Sequence, residues 1–294
     1  GNPNYLNDVW YSIDGGVSWL EVTGSAEWSS RQGHTSVVFD NKIFVMGGLS
    51  PGFGPIMNDV WVSSDGVSWV QAVESAQWSN RRYFCSVVYN NKIIVLGGMD
   101  STSNNLNDVW SSSDGGVNWV EETATAGWSG RRYFASVVYD NKIYIMGGYN
   151  GGSLNDVWSS SDGGVNWVEV NAIADWSVRS SHTAIVFDSK IYISGGGVDA
   201  GTWYTSDGGF TWLEVTDASG WSPRYQSTSV VYDEKLYVMG GVGPNGTPRF
   251  NDTWYLGVST RSPTTTANTT KAIVTGGWIG LNVGLLVWVV ANLN

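Results

Sequence analysis

Positive charge is scarce in this sequence of 294 residues. Lysine and arginine together number 15 against 26 acidic residues, which gives a formal net charge of −11 at pH 7. The basic residues are spread along the chain and form no basic patch. A protein that binds a nucleic-acid phosphate backbone needs such a patch, so the composition argues against nucleic acid as a partner.

Cysteine and histidine are also nearly absent. Cys85 is the single cysteine, so the chain can form neither an intrachain disulfide framework nor a zinc site made of cysteines. The two histidines, His34 and His182, stand at equivalent positions of a sequence repeat, where other copies have Phe84 and Phe134. A position that accepts phenylalanine is a packing position. We therefore predict no metal, no cofactor and no catalytic histidine.

Glycine pairs, in contrast, recur at nearly equal intervals. They begin at Gly47, Gly97, Gly147, Gly195 and Gly240, which are 50, 50, 48 and 45 residues apart. One copy of the repeat contains four runs rich in β-branched and aromatic residues, SVVYD, IYIMGG, NDVWSS and NWVEV, separated by Asp-Asn-Lys and Asp-Gly-Gly turns. Four antiparallel strands repeated in this way predict an all-β fold, a β-propeller of four-stranded antiparallel blades.

Two features of the repeat resemble known families. A glycine pair after an apolar strand, with an arginine sixteen residues before it and a tryptophan shortly after it, resembles the kelch repeat, whose period is about 50 residues. The kelch resemblance covers roughly residues 7–257. The segment Ser12-x-Asp14-x-Gly16-x-Ser18-Trp19 is similar to the Asp-box hairpin of sialidases and other propellers, and it recurs at 112–119, 160–167 and 205–212. Both resemblances imply a propeller, a fold that carries many unrelated activities.

The ends of the repeat array decide the number of blades. Residues 7–22 supply the last two strands of a blade without its first two, and the fifth repeat lacks a fourth strand. We predict six blades: five clear kelch-like repeats plus a closing or partial blade. The propeller domain is assigned to residues 1–257.

The remaining residues have two interpretations. Residues 258–271 are either a Ser/Thr-rich linker or a decayed strand, and residues 272–294 form an apolar tail. Its 22 uncharged residues, 272–293, are long enough to cross a bilayer, which predicts membrane anchoring. Lysine spacing predicts the closing strands of a degenerate sixth repeat instead. Lys271 precedes Gly276-Gly277 by five residues, as every other lysine precedes its glycine pair.

Strand polarity divides the loops between two faces of the propeller. Turns after the first and third strands open on one face and are short and uniform. Loops after the second strand, and loops between blades, open on the other face and vary in length and chemistry; we call it the loop face. Variable loops on a rigid scaffold commonly carry recognition, and tryptophan and arginine are enriched at binding hot spots. The candidate ligand-binding residues are Trp28, Arg31, Trp78, Arg81, Trp128, Arg131, Trp176, Arg179, Trp221 and Arg224.

The same ten residues have a structural interpretation. A residue that is repeated in every blade is explained first by blade geometry. The tryptophans are then expected to wedge between neighbouring blades, with the arginines tying down the loops.

The expected function is non-enzymatic recognition or scaffolding, with a glycan or a protein as the ligand. The alternative is a sialidase-like glycoside hydrolase, which would need carboxylates and arginines that stand outside the repeat pattern. No catalytic residue is assigned. Three sequons, at 245–247, 251–253 and 268–270, favour an extracellular or cell-surface location.

Overall fold

The computed structural model describes residues 5–197, 201–216 and 220–257. They form antiparallel sheets, connecting loops and two short 3₁₀ turns at Pro51–Phe53 and Pro244–Gly246. Among these residues there is no helix with the length and hydrophobicity of a membrane span. The predictions for residues 258–271 and 272–294 lie outside the described residues.

An N-terminal hairpin precedes the blades in the chain. Its strands are β1 (Val9–Tyr11) and β2 (Leu20–Thr23). Blade I contains β3 (Thr35–Phe39), β4 (Lys42–Leu49), β5 (Ile56–Ser63) and β6 (Val70–Val73). Blade II contains a short strand β7 (Arg81–Arg82) that also pairs with β9, followed by β8 (Cys85–Tyr89), β9 (Lys92–Asp100), β10 (Asn105–Ser112) and β11 (Val120–Thr123).

Blades III and IV repeat the four-stranded pattern, and blade V has three described strands. Blade III contains β12 (Ala135–Tyr139), β13 (Lys142–Tyr149), β14 (Ser153–Ser160) and β15 (Val168–Asn171). Blade IV contains β16 (Thr183–Phe187), β17 (Lys190–Ser194), β18 (Thr202–Thr205) and β19 (Leu213–Thr216). Blade V contains β20 (Thr228–Tyr232), β21 (Lys235–Met239) and β22 (Thr253–Gly257).

The first turn of each blade explains the regular strand spacing. In blade III, Asp140 and Asn141 join β12 to β13 with left-handed φ values of 46° and 54°. A two-residue type I′ turn requires positive φ at both central residues and favours Asp and Asn there. Tyr139 and Lys142 on either side are directly opposed in the ladder. Two-residue turns with positive φ recur in the other four blades, which confirms the predicted uniformity of these turns.

The hydrophobic core lies between neighbouring blades. Between blades II and III, one cluster joins Ile94, Leu96 and Val109 to Ile143 and Ile145 of the next blade, and all five are fully buried. Burying an aliphatic side chain of this size contributes about 1.5–3 kcal/mol. Each blade is therefore stabilised by its neighbours. The first strands of successive blades pack side by side, which places them innermost in the ring.

A chain of backbone hydrogen bonds links the five blades on the loop face. Each link runs from the N–H group of one blade to the C=O group of the preceding blade: Tyr83 to Gly33 (2.7 Å), Tyr133 to Tyr83 (3.1 Å), Ser181 to Tyr133 (2.7 Å) and Gln226 to Ser181 (2.8 Å). All five residues have φ between 56° and 65°. This conformation is unfavourable for non-glycine residues, so the surrounding packing must impose it.

The fold prediction is confirmed in its class and architecture. The described residues form an all-β propeller of antiparallel blades, four-stranded in blades I, III and IV, with the short strand β7 added to the four strands of blade II. They provide five blades and the β1–β2 hairpin. The sixth blade of the prediction is not formed by the described residues alone.

Candidate functional site

The loop face differs from the opposite face in the length of its connections. Second and third strands are joined by residues 50–55 in blade I, 101–104 in blade II, 150–152 in blade III and 240–252 in blade V. In blade IV, residues 198–200 of this connection lie outside the described residues. The contrast with the two-residue first turns confirms the predicted variation of these loops.

Four of the five repeat arginines are buried in described ion pairs, each of which holds its blade together. Arg131 Nη1 and Nη2 donate to the two carboxylate oxygens of Asp156, each at 2.7 Å, and Nη1 also donates to the Gly147 carbonyl at 3.0 Å. Bidentate pairs of this kind are strong and directional. The same pairing joins Arg31 to Asp59, Arg81 to Asp108 and Arg224 to Asp252. Arg179 donates to the corresponding carbonyl, that of Gly195.

The repeat tryptophans are buried between blades. Trp128 exposes 1% of its surface and meets Trp167 of blade III edge to face, at 5.8 Å between ring centroids. The guanidinium of Arg131 lies 5.9 Å from the Trp128 ring centroid, within cation–π range. The same edge-to-face contact joins Trp28 to Trp69, Trp78 to Trp119 and Trp176 to Trp212, while Trp221 packs against Trp254.

The ten sequence-predicted site residues therefore lie inside the blade interfaces. Each of their side chains is at most 4% exposed, a burial that fits the structural interpretation. A ligand on the loop face does not reach such side chains, so the expectation of direct contact is replaced by an indirect role in fixing the loops. The residues moved to this role are Trp28, Arg31, Trp78, Arg81, Trp128, Arg131, Trp176, Arg179, Trp221 and Arg224.

Another group of side chains is accessible on the loop face near the propeller axis. The half-buried rings of Tyr83 and Tyr133 stack with centroids 4.3 Å apart and an interplanar angle of 33°. The guanidinium of Arg82 lies 5.2 Å from the Tyr83 ring centroid. The guanidinium of Arg132 lies 5.6 Å from the ring of Tyr133 and 4.8 Å from that of Tyr149. We call these five residues the Arg–Tyr cluster.

The two arginines of this cluster carry charge that no described carboxylate neutralises. Within the described part of the chain, neither has a carboxylate oxygen within 4 Å, in contrast to the repeat arginines. Arg132 Nη1 donates to the neutral amide oxygen of Asn105 at 2.9 Å. The Nε of Arg82 is buried and has no hydrogen-bond partner among the described residues. Burial, and then the neighbouring Tyr83, raise the pKa of Tyr133, so its hydroxyl stays protonated.

The repeat pattern does not predict this cluster, because its two arginines are not repeated in every blade. Directly after the repeat arginine, blades II and III have Arg82 and Arg132, whereas the other blades have Gln32, Ser180 and Tyr225. The departure from the repeat was a visible signal. The contact between blades was not visible, since the two tyrosines lie 50 residues apart in the chain.

The histidines lie where the sequence predicts, in packing positions. His34 and His182 lie beside Trp28 and Trp176, at centroid distances of 6.3 and 6.2 Å. Phe84 makes the equivalent contact with Trp78 at 5.8 Å. Burial lowers the pKa of both histidines to about 3, and the neighbouring repeat arginine acts in the same direction. They are therefore neutral at physiological pH.

The carboxylates of the opposite face are committed to turns. Asp114 accepts hydrogen bonds from the Ser112 hydroxyl and from the backbone and side-chain N–H groups of Asn118. A cleft of about 370 Å³ between blades I and II is lined by Asp114, Asp40 and Lys42 among others. Within the described residues, no group of three or more His, Cys, Asp or Glu side chains is arranged to hold a metal ion.

In this ring of antiparallel blades, a buried arginine binds a glycine carbonyl in every described blade and also an aspartate in blades I, II, III and V, an arrangement that defines a kelch-type β-propeller. The chain belongs to the KLHDC2/KLHL20/DRC7 Kelch-repeats domain family, whose model matches residues 2–196. A comparison with curated proteins found no match. Kelch propellers typically act as protein-interaction scaffolds. The similarity of the hairpins to sialidase Asp-boxes stays a prediction.

Proposed function

We propose that this chain is a non-enzymatic recognition module that binds another protein through its loop face. The proposal rests on the Arg–Tyr cluster. Its arginines differ from the residues at the same repeat position in the other blades, and the blade fold does not require this difference. A residue kept in every blade is explained by the blade. When two adjacent blades both differ from the repeat at the same position, and the fold brings these residues together, ligand binding is the better explanation.

The chemistry of the cluster favours a carboxylate on a peptide segment. The guanidinium groups of Arg82 and Arg132, which have no acidic partner among the described residues, contact neighbouring tyrosine rings in a protein whose net charge is −11. Arginine binds carboxylates through two parallel hydrogen bonds, and its planar group also stacks on aromatic rings. Tyr83, Tyr133 and Tyr149 add a rigid apolar surface with polar edges, a type of surface enriched in protein interfaces. The ligand class we infer is a peptide with acidic side chains or a free C-terminal carboxylate.

The proposal includes a six-bladed ring as the scaffold of the loop face, and an extracellular or cell-surface location. The location is supported by the sequon at Asn245, since both Asn245 and Thr247 are exposed on a loop of blade V. Enzymatic deglycosylation of secreted protein, followed by mass spectrometry, tests it. An unglycosylated, active chain would remove this support.

The function is tested by screening the purified chain against a peptide library and a glycan array. We expect peptides enriched in Asp, Glu or a free C-terminal carboxylate, with binding that weakens as salt screens the charges. Replacing both arginines (Arg82→Ala with Arg132→Ala) should weaken the selected peptides by roughly 1–3 kcal/mol on the hot-spot scale, which is about 5- to 150-fold.

The matched control removes two positive charges from the opposite face (Lys42→Ala with Lys142→Ala). It should leave peptide affinity unchanged. An equal loss of peptide affinity in both double variants would mean that the net charge of the protein, and not the Arg–Tyr cluster, controls binding. Selection of glycans and no peptides would replace the protein ligand by a carbohydrate.

A further inference from the structure

Two asparagine–glycine pairs lie in connections of the loop face, Asn150-Gly151 in blade III and Asn245-Gly246 in blade V. In such a pair the glycine nitrogen can attack the side-chain carbonyl of the asparagine, because glycine has no Cβ atom to block the approach. The surroundings of the two pairs are closely similar. Both asparagines are exposed, and the glycines have φ values of 79° and 81°. A Cβ atom added to either glycine would meet nothing within 4 Å, so water reaches both pairs.

The hydrogen bonding of the glycine N–H group distinguishes the two pairs. The Gly246 N–H group donates to the Gly243 carbonyl at 3.1 Å. No described residue accepts a hydrogen bond from the Gly151 N–H group. A glycine nitrogen must lose its proton before it attacks, and a hydrogen bond opposes both that loss and the rotation that ring closure requires. Asn150 is therefore the more reactive of the two asparagines.

The side chain of Asn150 also ends a hydrogen-bonded chain that begins in the Arg–Tyr cluster. Arg132 Nη1 donates to Asn105 Oδ1 at 2.9 Å, and Asn105 Nδ2 donates to Asn150 Oδ1 at 3.4 Å. A donor at this oxygen stabilises the negative charge that the oxygen gains when the carbonyl carbon is attacked. Tyr149, directly before Asn150, has its ring centroid 4.8 Å from the guanidinium of Arg132. A charge formed at residue 150 therefore lies beside the cluster.

We propose that Asn150 is a deamidation site, and that its conversion to aspartate or isoaspartate lowers the affinity of the loop face for acidic peptides. The effect on affinity rests on the proposed function of the Arg–Tyr cluster, whereas the reaction itself does not. The unmodified loop is the binding state, and the modified loop carries a carboxylate next to the cluster. Because the reaction needs no enzyme, the converted fraction rises with the age of the molecule.

The reaction has two steps, and water is its one co-reactant. Gly151 N gives its proton to solvent and attacks Cγ of Asn150. The bond between Cγ and Nδ2 breaks, the side-chain nitrogen leaves as ammonia, and a cyclic succinimide remains. Water then adds at Cγ, which gives aspartate, or at the backbone carbonyl carbon, which gives isoaspartate with the main chain running through Cγ. Both products replace a neutral amide by a carboxylate, without oxidation or reduction.

A carboxylate at residue 150 opposes the binding of an acidic peptide in two ways. It repels the carboxylates of the peptide, and it weakens the attraction of Arg132 for them. A single exposed charge of this kind should reduce affinity by roughly 2- to 5-fold. Isoaspartate also lengthens the backbone of a loop that is closed by a 3.0 Å hydrogen bond from the Asn150 N–H group to the Gly152 carbonyl.

The reaction is tested by ageing the full chain, produced without N-glycosylation, in near-neutral buffer made with water that carries a heavy oxygen isotope. Peptide mapping by mass spectrometry measures the label incorporated at each asparagine–glycine pair. We expect Asn150 to convert several-fold faster than Asn245 in the folded chain. In urea, where both pairs lose their folded surroundings, the two rates should become nearly equal. Equal rates in the folded chain, or faster conversion of Asn245, would overturn the proposal.

The effect on binding is tested with Asn150→Asp, which introduces the charge of the product directly. Its affinity for the tightest acidic peptide of the library screen should be roughly 2- to 5-fold weaker than that of the unaltered chain, and added salt should reduce the difference. The matched control is Asn245→Asp, which adds the same charge in blade V, separated from blade III by blade IV. It should leave peptide affinity unchanged. An unchanged affinity in Asn150→Asp, or an equal loss in both variants, would reject the effect on binding.

The two experiments separate a failure of this proposal from a failure of the proposed function. If no acidic peptide binds, the proposed function fails and the effect on affinity fails with it, while the two deamidation rates still decide the modification site. If peptides bind through Arg82 and Arg132 but tolerate Asn150→Asp, the cluster remains the binding site and deamidation does not regulate it.

Discussion

At the scale of the residue, the two histidines should make the stability of the protein depend on pH, because both occupy the same packing position of the repeat. Burial lowers the pKa of His34 and His182 to about 3, against about 6.5 in an unfolded chain. The unfolded state therefore binds protons more tightly than the folded state below pH 6.5. Stability should fall by about 1.4 kcal/mol per pH unit for each histidine as the pH drops from 6.5 toward 3. Urea unfolding at pH 7, 6 and 5 measures this slope.

The other blades of the same chain show which substitution to use as the control for this prediction. Blades II and III have Phe84 and Phe134 at the same position, so His34→Phe with His182→Phe keeps the packing and removes the titration. Its stability should be nearly constant between pH 6.5 and 5. Below pH 5 the aspartates of the hairpin turns add a separate loss, since hydrogen bonds from Ser18 lower the pKa of Asp14 to about 2, below its value in an unfolded chain. A double variant that keeps the acid sensitivity above pH 5 would show that other groups cause it.

At the scale of the element, the hairpin between the third and fourth strands is held by its aspartate. In blade II, Asp114 accepts three hydrogen bonds from Ser112 and Asn118. Asp114→Ala removes all three hydrogen bonds, and because the site is exposed we expect the free energy of unfolding to fall by about 1–2 kcal/mol. For a domain of this size that loss lowers the melting temperature by roughly 2–6 °C. Differential scanning calorimetry measures the change.

The control for the hairpin is Asn118→Ser. The N-terminal hairpin has Ser18 at this position, and its hydroxyl donates to Asp14, so the variant should melt close to the unaltered chain. Neither substitution should change peptide affinity on the loop face. If Asp114→Ala abolished peptide binding in a folded chain, the binding face would be the hairpin face.

At the scale of the whole molecule, the backbone chain that runs from blade to blade should make the loop face rigid near the axis. The N–H groups of Tyr83, Tyr133, Ser181 and Gln226 lie outside the regular four-stranded ladders, yet each bonds to the preceding blade. They become free only when two blades separate. We expect their hydrogen exchange to be nearly as slow as that of the inner strands. Exchange mass spectrometry or NMR measures it, with the exposed loop residue Gly151 as the fast reference.

Exchange of these amides at the rate of Gly151 would contradict the prediction. It would mean that the loop face opens without separation of the blades. The Arg–Tyr cluster would then be a mobile surface, because Tyr83 and Tyr133 are themselves links in the backbone chain.

The sequence alone was sufficient for the repeat, the strand order and the loop faces, because these depend on local chemistry. Turns such as Asp140-Asn141 need positive φ, which Asp and Asn tolerate, and a strand of alternating residues such as 135–139 has the same period in any blade. The kelch family follows from the same spacing.

Tertiary structure decided which of these side chains a ligand can reach. Whether Trp128 faces solvent or the neighbouring blade depends on the distance between sheets, which no local pattern encodes. The contact between Tyr83 and Tyr133 likewise joins residues 50 positions apart, through the angle between two blades. The repeated residues therefore identified the propeller scaffold. The residues that differ from the repeat became a candidate site only because the packing of the blades brings them together.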